Sequence, residues 1–254
     1  MLKIEGLSKY FGGLAAVDDF NLSINQEEAV GLIGPNGAGK TTIFNLITGF
    51  LRPTRGEILF EGKDVVGKKP NSIAEKGIVR TFQATSIFPN FSSLQNIVAA
   101  CYLNPRIGFW EAGLHTSSSR KKEEYIISKA MEIIQFVGLE DVTNSPAQSL
   151  PHGHKRILGI AIALAAEPKL LLLDEPLSGM NAGEVADTME LVNRIYLRGT
   201  TILLIEHNMR AAMNFCKRVV VINFGKKIAE GSPEEIKENE EVIQAYLGVG
   251  AHAA

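Results

Sequence analysis

The residues with the clearest chemical potential form a glycine-rich run that ends in a lysine and two hydroxyl side chains. Residues 34–41 meet the pattern G-x-x-x-x-G-K-S/T in full. Such a loop turns successive backbone N–H groups toward one point and forms an anion site. Lys40 would reach the β- and γ-phosphates of a nucleotide, and the Thr41 hydroxyl would bind Mg²⁺. The predicted phosphate-binding residues are Gly34, Pro35, Asn36, Gly37, Ala38, Gly39, Lys40, Thr41 and Thr42.

The elements on either side of this loop must hold it in place. The apolar run 29–33 predicts a buried strand, and apolar residues then recur at helical spacing until Gly49. The N-terminus of that helix would add the positive end of its dipole to the anion site. A chance glycine turn is the alternative, but the strand, loop and helix in this order favour nucleotide binding.

A second motif pairs two carboxylates behind an apolar run. Residues 170–173 are four leucines, and Asp174 and Glu175 follow them directly. The run predicts a parallel strand covered on both faces, which delivers the pair to its carboxyl end beside the loop. There Asp174 would hold Mg²⁺ through water, and Glu175 would polarise a water molecule against the γ-phosphate. The alternative is an Asp-Glu pair at an ordinary strand end.

Composition limits the kind of protein. Hydrophobic residues make up 45 % of the 254 residues, which is typical of a globular chain with a sizeable core. The net charge of -2 offers no electrostatic case for a nucleic-acid partner. Cys101 and Cys216 both lie in apolar surroundings, which favours core residues of a reduced compartment over a disulfide. The longest apolar run, 157–166, is far too short to span a bilayer, so any link to a membrane is expected through a partner.

Three further motifs complete an ordered set. Gln83 follows a predicted strand, His207 ends another, and the turn 176–181 follows the acidic pair. A lone histidine at a strand end is more often structural. In this order and spacing, however, the motifs resemble the ATP-binding cassette of ABC transporters along nearly the whole chain.

The resemblance implies roles for individual residues. Gln83 looks like the glutamine that touches Mg²⁺ and links the nucleotide to the membrane subunit, and His207 looks like the histidine that contacts the γ-phosphate. Phe11 matches the aromatic residue that stacks on adenine, with plain core packing as the alternative. Beside Gln83, a groove for the coupling helix of a membrane permease is expected, lined by Ile87, Phe88 and Phe91.

The family's own signature is where this chain departs from the pattern. The usual Leu-Ser-Gly-Gly-Gln, which closes on the ATP of the opposite subunit, is replaced by residues 150–154. Proline stands for serine and histidine for glutamine, and Asn181 stands where many relatives have aspartate. The chain's own ATP site keeps its motifs. The residues implied to contact a partner's ATP are Pro151, His152, Gly153, His154 and Asn181.

The resemblance implies a transport ATPase. Two such subunits, identical or different, would sandwich two ATP molecules at the cytoplasmic face of the cell membrane and work with permeases and a substrate-binding protein. A narrower resemblance is to the G-type ATPase subunits of branched-chain amino-acid importers. It is carried by segments 7–17, 104–119, 178–181, 228–236 and 245–248. A lipopolysaccharide-export ATPase and a catalytically weak regulatory cassette remain alternatives. A DNA-repair or translation ATPase is disfavoured by the near-neutral charge.

The expected fold class is α/β, with a phosphate-loop NTPase core of ABC type, an N-terminal antiparallel β subdomain and an inserted α-helical subdomain. The chain, residues 1–254, is expected to form a single domain. Its core and β subdomain would comprise 1–91 and 146–254, and the helical subdomain 92–145.

Two stretches are less specified by the sequence. Residues 104–119, which contain the only tryptophan, predict an exposed excursion or a contact loop, followed by a helix over 120–137 whose apolar face begins at Tyr125. Residues 248–254 predict a frayed tail.

Overall fold

The computed structural model describes residues 1–81, 87–103 and 117–247. Gln83, most of the predicted excursion and the predicted tail therefore lie outside the described residues. The strands are β1 Leu2–Phe11, β2 Leu14–Ile24, β3 Ala29–Ile33, β4 Arg55–Phe60, β5 Lys63–Asp64, β6 Ile78–Arg80, β7 Leu170–Asp174, β8 Thr201–Ile205, β9 Arg218–Asn223 and β10 Lys226–Gly231. The helices are α1 Lys40–Ile47, α2 Pro70–Glu75, α3 Ser93–Leu103, α4 Ser117–Val137, α5 His152–Leu164, α6 Ala182–Leu197, α7 Met209–Phe215, α8 Pro233–Glu238 and α9 Glu240–Leu247.

The N-terminal sheet is antiparallel, with strand order β2-β1-β4-β5. In β1, buried Leu2 and Ile4 alternate with exposed Lys3 and Glu5, so one face of the strand packs inward. A turn at residues 12–13 joins β1 to β2. The expected antiparallel β subdomain is confirmed.

The second sheet carries the nucleotide motifs, with strand order β10-β9-β3-β8-β7-β6. Its strands are parallel except β10, which pairs antiparallel with β9. Every residue of β3, β7 and β8 is buried, because both faces of the sheet are covered. One core, which includes Phe20, Phe44 and Phe60, joins α1 to the N-terminal sheet. A second core lies under the helices on the other face.

Helices α3 and α4 pack on each other and on α5. The segment that holds them is closed at its base by an antiparallel bridge between Ser92 and Pro146, which supports the proposed subdomain 92–145. On α4, Ile126, Ala130 and Ile134 are fully buried at helical spacing.

Two expectations for α4 were wrong. Tyr125 is 58 % exposed, because its neighbour Ile126 takes the inward position and adjacent helical residues point in different directions. The helix also begins at Ser117, so 117–119 belong to it and not to the excursion.

The predicted core role of the cysteines is confirmed. Cys101 and Cys216 are free, buried thiols, and burial raises the pKa of Cys216 to about 12. In the described parts of the chain, no helix combines the length and the apolar character needed to cross a membrane.

Candidate nucleotide site

The loop between β3 and α1 is shaped by close backbone packing. At Gly34, a Cβ atom would lie 2.1 Å from the carbonyl oxygen of Ile222. Gly39 has a φ of +106°, and a Cβ there would lie 2.5 Å from the carbonyl oxygen of Ala16. Only glycine fits at either position, so both glycines of the motif are required by the backbone itself.

Lys40 lies inside the curve of this loop. Its Nζ donates to the carbonyl oxygens of Gly34, at 2.6 Å, and Pro35, at 3.0 Å. The residue is buried, and burial lowers the pKa of Lys40, while the carboxylates of Glu175 and Asp174 oppose that effect. A cation is thus held at the centre of an anion-binding loop, next to the acidic pair.

A cavity of about 370 Å³ opens over the loop and is large enough for a small-molecule ligand. It brings Glu175 together with the lysine and both threonines of the motif, as the sequence predicts. It also has an apolar wall that the motif does not include. The lining residues are Leu14, Ala15, Ala16, Asn36, Gly37, Ala38, Gly39, Lys40, Thr41, Thr42, Glu175, Phe224 and Gly225.

Asp174 ends β7 and forms a buried ion pair. Arg80 Nη2 donates to Asp174 Oδ2 at 2.5 Å, and Arg80 Nη1 donates to Asn45 Oδ1 at 2.6 Å. The guanidinium therefore connects β6, α1 and β7 beneath the site. Sequence reasoning missed Arg80, although its place at the end of a predicted strand, three residues before Gln83, was a usable signal.

Glu175 and His207 come from neighbouring strand ends. Glu175 Oε2 lies 3.8 Å from His207 Nδ1. The Glu175 backbone has a φ of +47°, and its N–H donates to the carbonyl oxygen of Ile205 at 3.0 Å. A non-glycine residue in this conformation is uncommon and is often found at functional sites. The hydrogen bond fixes it there.

Glu206 is a second residue that sequence reasoning missed. Its carboxylate is fully buried and accepts hydrogen bonds from the N–H groups of Leu177, at 3.0 Å, and Asn208, at 3.4 Å. Burial raises the pKa of Glu206. It therefore ties the turn after Glu175 to the segment that carries His207.

The variant signature begins α5. Pro151 is the N-cap residue and is exposed, and Gly153 is buried against α6. A Cβ at Gly153 would lie 2.7 Å from Glu184 Oε1, so a carboxylate lies close to the first turn of α5. A Cβ at Gly179 would lie 3.1 Å from His152 Cε1. The signature and the turn after the acidic pair are thus packed together. This arrangement is consistent with the prediction that both contact the ATP of a partner subunit.

Asn181 is the N-cap of α6. Its Oδ1 accepts from the N–H groups of Gly183, at 2.9 Å, and Glu184, at 3.1 Å, and Glu184 Oε2 accepts from the Asn181 N–H at 2.9 Å. This reciprocal capping box satisfies N–H groups that a helix leaves unpaired. Asn181 therefore has a structural task within its own subunit.

Phe11 ends β1 opposite Leu14 and is 48 % exposed. Leu14 lines the cavity, whereas Phe11 does not, and the ring of Phe11 lies 5.1 Å from Lys9 Nζ. Its adenine contact stays a prediction. The predicted permease groove is exposed and apolar: Phe88 and Phe91 are 52 % and 44 % exposed, with ring centroids 5.1 Å apart.

The fold and the site together define a phosphate-loop NTPase. Residues 17–178 match the family model described as ABC transporter, and 226–252 match that of the branched-chain amino acid ATP-binding cassette transporter. A high-affinity branched-chain amino acid transport ATP-binding protein of Pseudomonas aeruginosa, BraF, is 39 % identical over 249 residues, 98 % of each chain. The protein of the same description from Escherichia coli, LivG, is 40 % identical, again over 98 % of each chain.

A solved structure agrees with these relatives. The ADP conformation of an ATP-binding cassette of an ABC transporter superposes with a TM-score of 0.83, at 31 % identity and 98 % coverage of both chains. This chain therefore belongs to the ABC transporter family and is an ABC ATPase.

Proposed function

We propose that this ATPase drives the uptake of branched-chain amino acids, or of a related small polar solute, as one subunit of an importer. Support comes from the C-terminal match over 226–252 and from the transport role in the names of relatives that cover nearly the whole chain. ATP hydrolysis is supported above all by one observation: Lys40, Thr41 and Glu175 line the same cavity.

The residues divide the chemical work. Lys40 holds the β- and γ-phosphates by charge, together with the N–H groups of the loop. Glu175 accepts a hydrogen bond from the attacking water, and His207, beside it, contacts the γ-phosphate. Catalysis in this reaction class depends on positioning and charge stabilisation. Both side chains come from the ends of adjacent buried strands, so their spacing is fixed by the sheet.

Mg²⁺ would be held by oxygen ligands of this chain. Thr41 lines the cavity and Asp174 lies at the adjoining strand end, and Gln83 is the third predicted ligand. Hydroxyl, carboxylate and amide oxygens suit Mg²⁺, which keeps several waters. When bound, the ion neutralises charge on the phosphates. Within the described residues, no group of three or more His, Cys, Asp or Glu side chains is arranged to hold a metal ion.

The proposed partners would contact two different surfaces of this chain. A second ABC ATPase subunit, identical or different, would face the variant signature at 151–154, and permease subunits would contact Ile87, Phe88 and Phe91. A substrate-binding protein would act on the far side of the permeases. The chain would then lie peripherally on the cytoplasmic face of the membrane. Changing Phe88 and Phe91 to serine is expected to reduce copurification with the permeases and to leave ATP binding intact.

The decisive experiment uses the complex with its permeases and binding protein in liposomes. Branched-chain amino acids should stimulate ATP hydrolysis, and Glu175→Gln should lower hydrolysis by at least about 100-fold, because an amide cannot act as the base. Asp187→Asn, an exposed change on α6, is the matched control. Normal turnover in Glu175→Gln would contradict the assignment, and stimulation by other solutes alone would contradict the substrate class.

A catalytically weak regulatory cassette is the second candidate, because Pro151 removes the serine hydroxyl of the usual signature. It predicts that the wild-type complex hydrolyses ATP no faster than Glu175→Gln. The same measurement therefore separates the two functions.

A further inference from the structure

The turn between β9 and β10 reaches the nucleotide cavity from outside the known motifs. It consists of Phe224 and Gly225, and both line the cavity. The Phe224 side chain is 84 % exposed, the most exposed large apolar side chain among the described residues. Burial of such a ring against a ligand would be favourable, and Phe224 belongs to the lining of a ligand-sized cavity.

The backbone holds this ring in a fixed position. Gly225 N–H donates to the carbonyl oxygen of Ala38, in the phosphate loop, at 2.9 Å, and Asp18 N–H donates to the Gly225 carbonyl oxygen, also at 2.9 Å. A Cβ at Gly225 would lie 2.9 Å from the Ala16 carbonyl oxygen, so the turn packs closely against β2. The turn is therefore fastened to the phosphate loop and to the N-terminal sheet together.

Phe224 itself is held in an uncommon conformation. Its φ is +44°, a region that residues with a side chain rarely occupy. Such strain persists where the surrounding structure enforces it, and it is concentrated at functional sites. Here the hydrogen bonds of Gly225 hold the turn in this conformation, and Phe224 lines the cavity and belongs to neither core.

The lining of the cavity combines polar and apolar groups. The phosphate loop and Glu175 are polar, and Leu14, 69 % exposed, and Phe224 are apolar. A nucleotide has the same division, with charged phosphates and a flat base. Aromatic rings stack on bases whatever the base sequence, because every base has a π-face.

We propose that Phe224 is a base-binding residue: its ring contacts the adenine of the nucleotide whose phosphates occupy the Gly34–Thr42 loop. The proposal rests on the proposed function, since it requires ATP in this cavity. Phe224 then acts on affinity for the base and not on the chemistry at the γ-phosphate.

The test compares Phe224→Ala with Phe224→Tyr, which keeps the ring, and with Leu197→Ala, an exposed apolar change at the end of α6 that does not line the cavity. Calorimetry on the purified full chain, at a concentration where it is monomeric, gives the Kd for Mg-ATP, Mg-ADP and inorganic triphosphate. Phe224→Ala should weaken ATP and ADP binding by roughly 5- to 10-fold, at the low end for base stacking because the ring is at the rim. Triphosphate binding should not change, and Phe224→Tyr and Leu197→Ala should bind like the wild type.

Four outcomes would overturn the proposal. Unchanged ATP binding in Phe224→Ala would show that the ring makes no significant contact with the adenine. Equal weakening of ATP and triphosphate would mean that the turn only supports the phosphate loop. Equal weakening in Phe224→Tyr would exclude a role for the ring itself. Normal nucleotide binding by the monomer, with a loss only of ATP-dependent dimerisation, would make Phe224 a partner contact. A wild-type chain that binds no nucleotide would instead contradict the proposed function, which keeps the two failures distinct.

Discussion

At the scale of single residues, the site combines groups that carry motifs with groups that do not. Lys40, Glu175 and the phosphate-loop glycines were predictable, because their chemistry demands fixed residue types at fixed spacing. Arg80 and Glu206 were not, because a buried ion pair or a buried carboxylate depends on which strands become neighbours. That neighbourhood is decided by the whole sheet and is not encoded in a short stretch of sequence.

Glu206 gives a prediction on pH. Burial raises the pKa of Glu206 above its ordinary value of 4.5, so the folded state binds the proton more tightly than the unfolded state. The stabilisation that this provides is fully present below the ordinary pKa and is lost as the pH rises through the raised one. Glu206→Gln is neutral at every pH and should therefore gain in free energy of unfolding, relative to the wild type, across that window.

Urea unfolding of both proteins at several pH values between 4 and 8 measures this difference. A free-energy difference that stays constant with pH would contradict the prediction. Glu190→Gln, an exposed change on α6, is the control that should show no such trend.

At the scale of elements, the start of α6 has two tasks that use one residue. Asn181 caps the helix within this subunit and is also predicted to reach the partner's ATP. The sequence alone indicates only the contact with the partner's ATP, because asparagine in place of the aspartate of many relatives suggests a change in catalysis. The capping box shows that the oxygen of Asn181 is already engaged with two backbone N–H groups.

Substitutions at Asn181 should separate these tasks. Asn181→Ala should lower the free energy of unfolding by about 1 kcal/mol, because it removes the cap. Asn181→Asp keeps an oxygen in place of the capping Oδ1 and puts a negative charge at the helix N-terminus, so stability should be equal or slightly higher. Chemical unfolding of the isolated chain measures both. An unchanged stability in Asn181→Ala would show that the cap contributes little.

The parallel strands illustrate how far element prediction reaches. The runs 29–33, 170–173 and 201–205 were predictable as buried strands, because four or five consecutive apolar residues suit a strand covered on both faces. Their lateral order, β9-β3-β8-β7, was not predicted and is seen only in the structure. Nothing in the individual runs distinguishes one neighbour from another, since all present similar apolar faces.

At the scale of the whole molecule, the phosphate-binding motifs and the variant signature occupy different parts of the fold. The phosphate loop, Glu175 and His207 lie on one sheet. The variant signature lies at the start of α5, next to the carboxylate of Glu184. Substitutions in the signature are therefore expected to change ATP hydrolysis in the assembled complex and not in the isolated subunit.

Pro151→Ser should preserve or raise ATP hydrolysis in the assembled complex. It restores the hydroxyl of the usual signature, and Ser remains a favourable N-cap for α5. Turnover of the purified complex, compared with that of the isolated chain, gives the result. A large loss in the complex, with the isolated chain unaffected, would show that the proline has a positive role of its own.

The ion pair between Arg80 and Asp174 has a consequence for the order in which Mg²⁺ and nucleotide would bind. The carboxylate that should face Mg²⁺ is already neutralised by a guanidinium held at 2.5 Å. Because Arg80 already balances the charge of Asp174, a bare divalent ion would gain little from this carboxylate alone. The phosphates of a nucleotide would supply the further negative charge. We therefore predict that Mg²⁺ and nucleotide bind with positive thermodynamic coupling, and an Mg-ATP complex would deliver both at once.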